Sequence, residues 1–272
     1  MPGGDPSTEY YRGIGGAHFH ERSVVPYAMT ALDTPVYRDY LRDFAPDDRD
    51  ILVVDVGGGD GRNAIPWLQW GFKRVVVVDS TAAALSRFRT RILAENPQWI
   101  ERLVLIECDA RTLPFADDTA DRVQAIEALY YLNEDYEQGL AQCRRVMRPQ
   151  ARLLLADRSY EGALLTRLLY YGGVGAMLKT ARSREMWDAE DGHRVRTRCF
   201  SREELHGLVA AEGLEIAETG GISAFSLLLS FLSKLDRLGP ESETQLAAMH
   251  QLLISLGHIG CFSRSHVVIA AK

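Results

Sequence analysis

The sequence predicts an α/β fold, a mostly parallel sheet doubly wound with helices on both faces. Three observations carry that expectation. Strand-like apolar runs recur with helical stretches between them: "ILVVDV" (51–56), "RVVVVD" (74–79), "LVLIEC" (103–108), "DRVQAIE" (121–127) and "RLLLAD" (152–157). Such alternation is the signature of βαβ units. The runs lack a clear apolar–polar alternation, so the sheet is expected to be buried on both sides. Finally, the first run ends in an acid and then four glycines within five residues, at 57, 58, 59 and 61. Glycine there allows a tight strand-to-helix turn.

Taken in order, residues 1–48 form a preamble with helical character around "VYRDYLRDF", expected to act as an N-terminal helical lid on a domain spanning 49–272. "GRNAIPWLQWGF" and "AAALSRFRTRILAEN" have the spacing of crossover helices, and "EQGLAQCRRVMRP" ends at Pro149, where a helix cannot easily continue. Ser201 and Glu204 form a capping box opening "REELHGLVAAEGL", with Gly213 placed to terminate it. "LEIAE" (214–218) and Val267 to Ala271 read as two further strands. Segments 159–198 and 220–262 are too long for simple connections and are expected to fold as helical caps over one end of the sheet.

The chain has 272 residues and a formal net charge of -6, with acids and bases interspersed. That excludes an extended basic face for nucleic acid and favours a small-molecule partner. Four cysteines, at 108, 143, 199 and 261, show neither CxxC pairing nor zinc-ligand spacing, which fits thiols in a reducing cytoplasm. "MPGGDPSTEYYRG" lacks the features of a secretory signal. The apolar stretch "GGISAFSLLLSFLSKLDRLG" is broken by serines and charged from Lys234. It reads as a buried or cap helix, with a membrane-surface helix as the alternative, and not as a span. Monomer and homodimer both remain open.

Asp55 to Gly61 reads D-V-G-G-G-D-G. Two ligand classes use a glycine loop between a strand and a helix: dinucleotides, with G-x-G-x-x-G, and S-adenosylmethionine, with an acid ahead of G-x-G-x-G. The first pattern fits poorly from Gly57, because Arg62 stands where glycine or alanine is needed. A shifted frame, Gly59-x-Gly61-x-x-Ala64, survives, and Asp79 then falls where a ribose-binding acid belongs. Asp79 serves either ligand. After the third strand comes "CDARTLPFADDTADRV", and with it the chain from about 51 to 158 resembles the class I S-adenosylmethionine-dependent methyltransferases. The resemblance implies a Rossmann-like, seven-stranded sheet whose last strand is antiparallel. It also implies S-adenosylmethionine as cofactor, held by Asp55, Gly57, Gly59 and Gly61 in the first motif, by Asp79 and the adjacent Ser80 at the ribose, and by Asp109 and Ala110 at the adenine.

Methyl transfer is an in-line displacement at a sulfonium carbon, so the protein must desolvate, align and, for some acceptors, deprotonate. "AIEALYYL" after the fourth strand resembles the same segment in the branch acting on ubiquinone, sterols and other natural products. By that resemblance Ile126 and Glu127 lie beside the methionine end of the cofactor. Some members carry histidines where Tyr130 and Tyr131 stand, working with an acid that corresponds to Asp157. Tyrosine is a poorer base at neutral pH than histidine. Asp157 follows "LLLA", where a carboxylate is partly desolvated and its pKa raised. In the preamble, "EYYRGIGGAHFHERS" offers His18 or His20 as a lid-borne base; the His-x-His pair has no clear third partner for a metal. The expected activity is methylation of a small-molecule acceptor, with oxygen as the leading acceptor atom and nitrogen or carbon as alternatives. A nicotinamide-dependent oxidoreductase and a non-catalytic S-adenosylmethionine-binding protein are the competing readings. The many apolar residues in the caps suggest an apolar acceptor, although ordinary helix packing explains them equally well.

Overall fold

The computed structural model describes residues 27–170, 173–190, 193–222 and 263–272. A helix α1 (Tyr27–Phe44) leads into β1 (Leu52–Val56), the short α2 (Ile65–Gln69), β2 (Arg74–Asp79), α3 (Ala82–Glu95), a 3-10 turn and β3 (Leu103–Glu107). Then come β4 (Ala120–Ile126), a second 3-10 segment (Leu129–Asp135), α4 (Tyr136–Val146) and β5 (Met147–Arg158). After β5 follow α5 (Tyr160–Tyr170), α6 (Gly173–Ser183), β6 (Glu185–Glu190), β7 (His193–Arg198), α7 (Arg202–Ala211), β8 (Glu215–Ile222) and β9 (Ser265–Ala271).

The seven-stranded sheet has the order β3-β2-β1-β4-β5-β9-β8. Every pairing from β3 to β5 is parallel, and β9 is antiparallel to both of its neighbours. The order reverses between β1 and β4. Ligands in open α/β sheets sit outside the carboxyl ends of the strands at such a switch point, and the glycine loop begins there.

Each face of the sheet has its own core. Tyr37, Leu41 and Phe44 of α1 pack with Trp67, Phe72 and Phe88 against one face. Tyr136 and Leu140 of α4, with Leu205 and Val209 of α7, cover the other. The β1, β2 and β4 runs are buried along almost their full length, which is why they show no polar alternation. The capping box forms as expected: Glu204 N–H donates to Ser201 Oγ at 3.3 Å and Ser201 N–H donates to Glu204 Oε2 at 2.7 Å.

One cap departs from the helical expectation. Segment 159–198 folds as two helices followed by an antiparallel hairpin, β6 against β7. Met186, Val195 and Thr197 are buried, and Met186 pairs with Thr197 across the hairpin. Val195 and Thr197 form a period-two pattern, short and flanked by arginines. Of the second cap, 220–222 belong to β8, and the remainder, with the apolar stretch "FSLLLSFL", lies outside the described residues. Among the described residues no helix is long and apolar enough to cross a membrane.

Candidate functional site

The glycine corner assembles from three strand ends. Gly57 and Gly58 N–H groups donate to Val78 O at 2.8 and 3.2 Å, tying the loop to the end of β2. Asp79 then accepts from Gly59 N–H at 2.9 Å and from Thr81 N–H at 2.8 Å, so its carboxylate braces the loop and the following helix start. Gly59 and Gly61 both have positive φ, +54° and +82°. Their surroundings differ. A Cβ on Gly61 would lie 2.2 Å from the Phe88 ring, whereas one on Gly59 would meet nothing nearer than Asp79 Oδ2 at 3.9 Å. Gly61 is required by packing. Gly59 leaves open space beside a carboxylate, a cradle that fits an adenosine-bearing cofactor approaching the backbone.

Asp55 lies behind this loop and not on its open side. It is 1% exposed, and burial, against the lowering influence of the Gln124 side chain, pushes its pKa up to about 7. Gln124 in turn accepts from Trp67 Nε1 at 2.8 Å and donates to Asn63 O at 3.2 Å. The sequence expectation of direct cofactor contact thus meets a residue buried beneath the turn, where a Cβ on Gly58 would lie 2.5 Å from its Oδ2. Ile126 is likewise in the core, on the α1 side. Ser80 and Ala110 are half-buried at the strand ends. Asp109 accepts from its neighbour Arg111 through the backbone at 2.9 Å and through Nε and Nη2 at 2.9 and 2.7 Å, and Arg111 also reaches Asp135.

The second corner lies beyond β4 and β5. Glu127 takes the left-handed φ of +55°. Burial opposes its ionisation, but the Arg264 and Arg62 guanidinia outweigh that and hold the carboxyl at about 2. Asp157 is turned inward, 0% exposed. It accepts from Tyr136 Oη at 2.7 Å and from Tyr130 N–H at 3.2 Å, and burial raises it to about 7. The raised pKa agrees with the sequence expectation. The placement does not suit direct contact with an acceptor, because both oxygens are engaged under the Tyr130 segment. Tyr130 is itself buried and packs on the half-buried Tyr131 with ring centroids 4.5 Å apart. The Arg158 guanidinium lies 5.0 Å over the Tyr130 ring and donates to Met186 Sδ at 2.8 Å, joining this corner to the hairpin cap. Asn133 Nδ2 adds a bond to Arg196 O at 3.3 Å. His18 and His20 lie outside the described residues.

Residues that sequence reading missed gather here: Tyr37, Arg62, Tyr136, Arg158, Arg264 and Ser265. His266 is another; it is buried opposite Asp157 in the β5–β9 pairing, with Nε2 3.3 Å from Glu161 Oε2, and desolvation lowers its pKa. Nothing local in the sequence marks any of them. Among the described residues no cluster could hold a metal ion, and Cys108 and Cys143 are pushed up to about 11 and 12 by burial, away from nucleophilic use.

Residues 53–150, the stretch containing the glycine corner and the end of β4 but not that of β5, match the model of a methyltransferase domain family. Over these residues the chain carries a methyltransferase domain. The chain is 32% identical over 208 residues to methyltransferase GfsG of Streptomyces halstedii, a match covering 76% of this chain and 64% of that one. It is 35% identical over 119 residues to the ubiquinone/menaquinone biosynthesis C-methyltransferase UbiE of Paracoccus denitrificans, covering 43% and 46%. The chain thus spans from about half to just under two thirds of these relatives. In fold, the chain is similar to geranyl diphosphate C-methyltransferase of Streptomyces coelicolor A3(2), with a TM-score of 0.59 at 15% identity over 88% of this chain and 79% of that one.

Proposed function

We propose that this methyltransferase moves a methyl group from S-adenosylmethionine to a small, partly apolar acceptor, with oxygen as the accepting atom. The observation that carries the reading is Gly59: left-handed, open above its backbone, and beside Asp79 at the switch point of the sheet. When bound, the cofactor supplies an electrophilic methyl group on a sulfonium.

In this reading the Asp79 carboxylate accepts from the ribose hydroxyls, Asp109 and Ala110 line the adenine, and the Gly57–Gly61 backbone lies along the methionine portion. Glu127, anionic throughout the physiological range, faces the cationic end. Tyr131 and the hairpin β6–β7 cover the acceptor side and exclude water, which strengthens the electrostatics within. Asp157 acts on the acceptor through the segment it anchors, at Tyr130 N–H and Tyr136, and its pKa near 7 suits it to take up a proton released from a hydroxyl by way of intervening groups. Support for oxygen rests on that carboxyl alone.

Two measurements test the reading. Calorimetry should give micromolar affinity for S-adenosylhomocysteine and none for NADH; the reverse result would replace the assignment with the oxidoreductase. Incubation with methyl-labelled S-adenosylmethionine and a metabolite extract should yield a labelled small molecule whose methyl group sits on oxygen. Binding without any transfer would leave a cofactor-binding protein.

A further inference from the structure

We propose that Arg264 is a positioning residue for the cofactor site, acting through Glu127 on the glycine loop; this deepens the methyltransferase reading and rests on it. The geometry runs in three steps. Arg264 Nη2 lies 2.7 Å from Glu127 Oε1, and Ser265 Oγ donates to the same oxygen at 2.7 Å, so the start of β9 grips the end of β4. Glu127 occupies a φ of +55°, a region that non-glycine residues seldom adopt and that surrounding contacts must hold in place. The next residue, Ala128, stands so close to the glycine loop that a Cβ on Gly57 would lie 2.4 Å from Ala128 Cβ. Whatever fixes the turn at Glu127 therefore fixes the wall against which Gly57 packs.

The same carboxylate gathers the other parts of the site. Arg62, one residue beyond Gly61, approaches Glu127 Oε2 at 4.0 Å, and its guanidinium lies 5.1 Å over the ring of Tyr37 on α1. The Glu127 charge thus ties α1, the glycine corner, the end of β4 and the start of β9. Arg264 is its nearest counter-charge, and both side chains are largely buried, at 15% and 14% exposed. In such surroundings a carboxylate deprived of its partner either protonates or leaves its place. The titratable and charged groups facing Glu127 are Arg264, Arg62, Tyr37 and Tyr130, with Asp157 close enough to be influenced by it.

The experiment compares S-adenosylhomocysteine affinity of the full chain, wild type, Arg264→Gln and Arg264→Lys, at pH 8 and pH 5. Ratios of variant to wild type cancel the titrations of Asp55 and Asp157. Arg264→Gln should weaken binding about tenfold at pH 8, the lower range for a lost bond to a charged group. The ratio should widen by several-fold more at pH 5, because Glu127, no longer held near 2, then takes up a proton. Lysine, restoring the charge, should recover most of the loss and abolish the widening. An affinity ratio equal at both pH values with no rescue by lysine would mean a merely structural arginine and would overturn the proposal, as would a glutamine variant that binds like wild type. Should Arg264→Gln fail to fold, Ser265→Ala, which removes the second bond to the same oxygen but leaves the Arg264 charge, should weaken binding a few-fold and equally at both pH values, and wild-type affinity there sinks the idea. A wild-type chain without affinity for S-adenosylhomocysteine would overturn the methyltransferase reading beneath it.

Discussion

The two corners at the carboxyl edge of the sheet are built in opposite ways. The glycine corner is local: its acids and glycines come from the ends of β1, β2 and β3, each within a few residues of the strand that places it, and its bonds run from backbone N–H groups to backbone carbonyls and to the Asp79 carboxylate. The corner beyond β4 and β5 is assembled from a distance, with Tyr37, Glu127, Asp157, Met186 and Arg264 brought together from five parts of the chain. The first is a template that a short motif can specify. The second depends on the fold being complete, so a change to it is felt through long-range contacts.

The comparison breaks most sharply at Gly61. Both Gly59 and Gly61 are left-handed, yet a side chain at 61 collides with the buried Phe88 ring, which has nowhere to go. Gly61→Ala should destabilise the fold by about 3 kcal/mol or more, combining overpacking with an unfavourable φ. Gly59→Ala should cost only about 1–2 kcal/mol for its φ while lowering S-adenosylhomocysteine affinity at least tenfold. Thermal unfolding and calorimetry on the two variants decide. Equal stability for both would mean that the corner is not divided into a packing glycine and a ligand glycine.

Tyr136→Phe probes the distant corner with a single atom. It removes the 2.7 Å bond to Asp157 Oδ2 and leaves that oxygen buried, at an expected cost of about 2 kcal/mol, the usual penalty for an orphaned buried acceptor. Because Asp157 also holds Tyr130 N–H, turnover should fall while cofactor affinity stays within about threefold, since the glycine corner shares no bond with it. An affinity loss as large as that of Gly59→Ala would show that Asp157, and not the Glu127–Arg264 pair alone, is coupled to the glycine corner.

This division also sets what could be read in advance. The strands at 52–56 and 74–79 were legible because burial on both faces leaves an unbroken apolar run, the edge strand at 103–107 because its run is apolar even where Val104 is exposed, and Asp79 because a strand end fixes its position. The capping box at Ser201 and Glu204 is a four-residue signal and came through intact. The hairpin at 185–198 was not legible: two short strands whose pairing matters more than their composition carry little periodic signal. Arg264 could not be singled out either, because its partner at 127 is chosen by β9 returning beside β5 and not by any spacing. Asp157 was found, but its orientation was not, since Tyr136 lies on a separate helix whose placement only the packed core decides.

Asp157 supplies the smallest expected effect and the cleanest sign. Its folded pKa stands at about 7 against 3.8 for the unperturbed group, with burial as the main cause. Between those values the folded chain keeps a proton that the unfolded chain has lost, so this group's stabilising contribution is full below about pH 4 and is lost as pH rises through 7. Asparagine keeps an oxygen to accept from Tyr136 or Tyr130 and cannot ionise. Asp157→Asn should therefore match wild type within about 0.5 kcal/mol at pH 4 and exceed it by on the order of 1–2 kcal/mol at pH 8, allowing for relaxation around the buried charge. Asp55 titrates in the same window but is present in both proteins, so the difference isolates residue 157. Chemical denaturation at the two pH values measures it. A difference that does not grow with pH would mean that Asp157 is ionised in the folded chain at both, stabilised by its bonds to Tyr136 and Tyr130, and would remove the proton-accepting role assigned to it beyond β5.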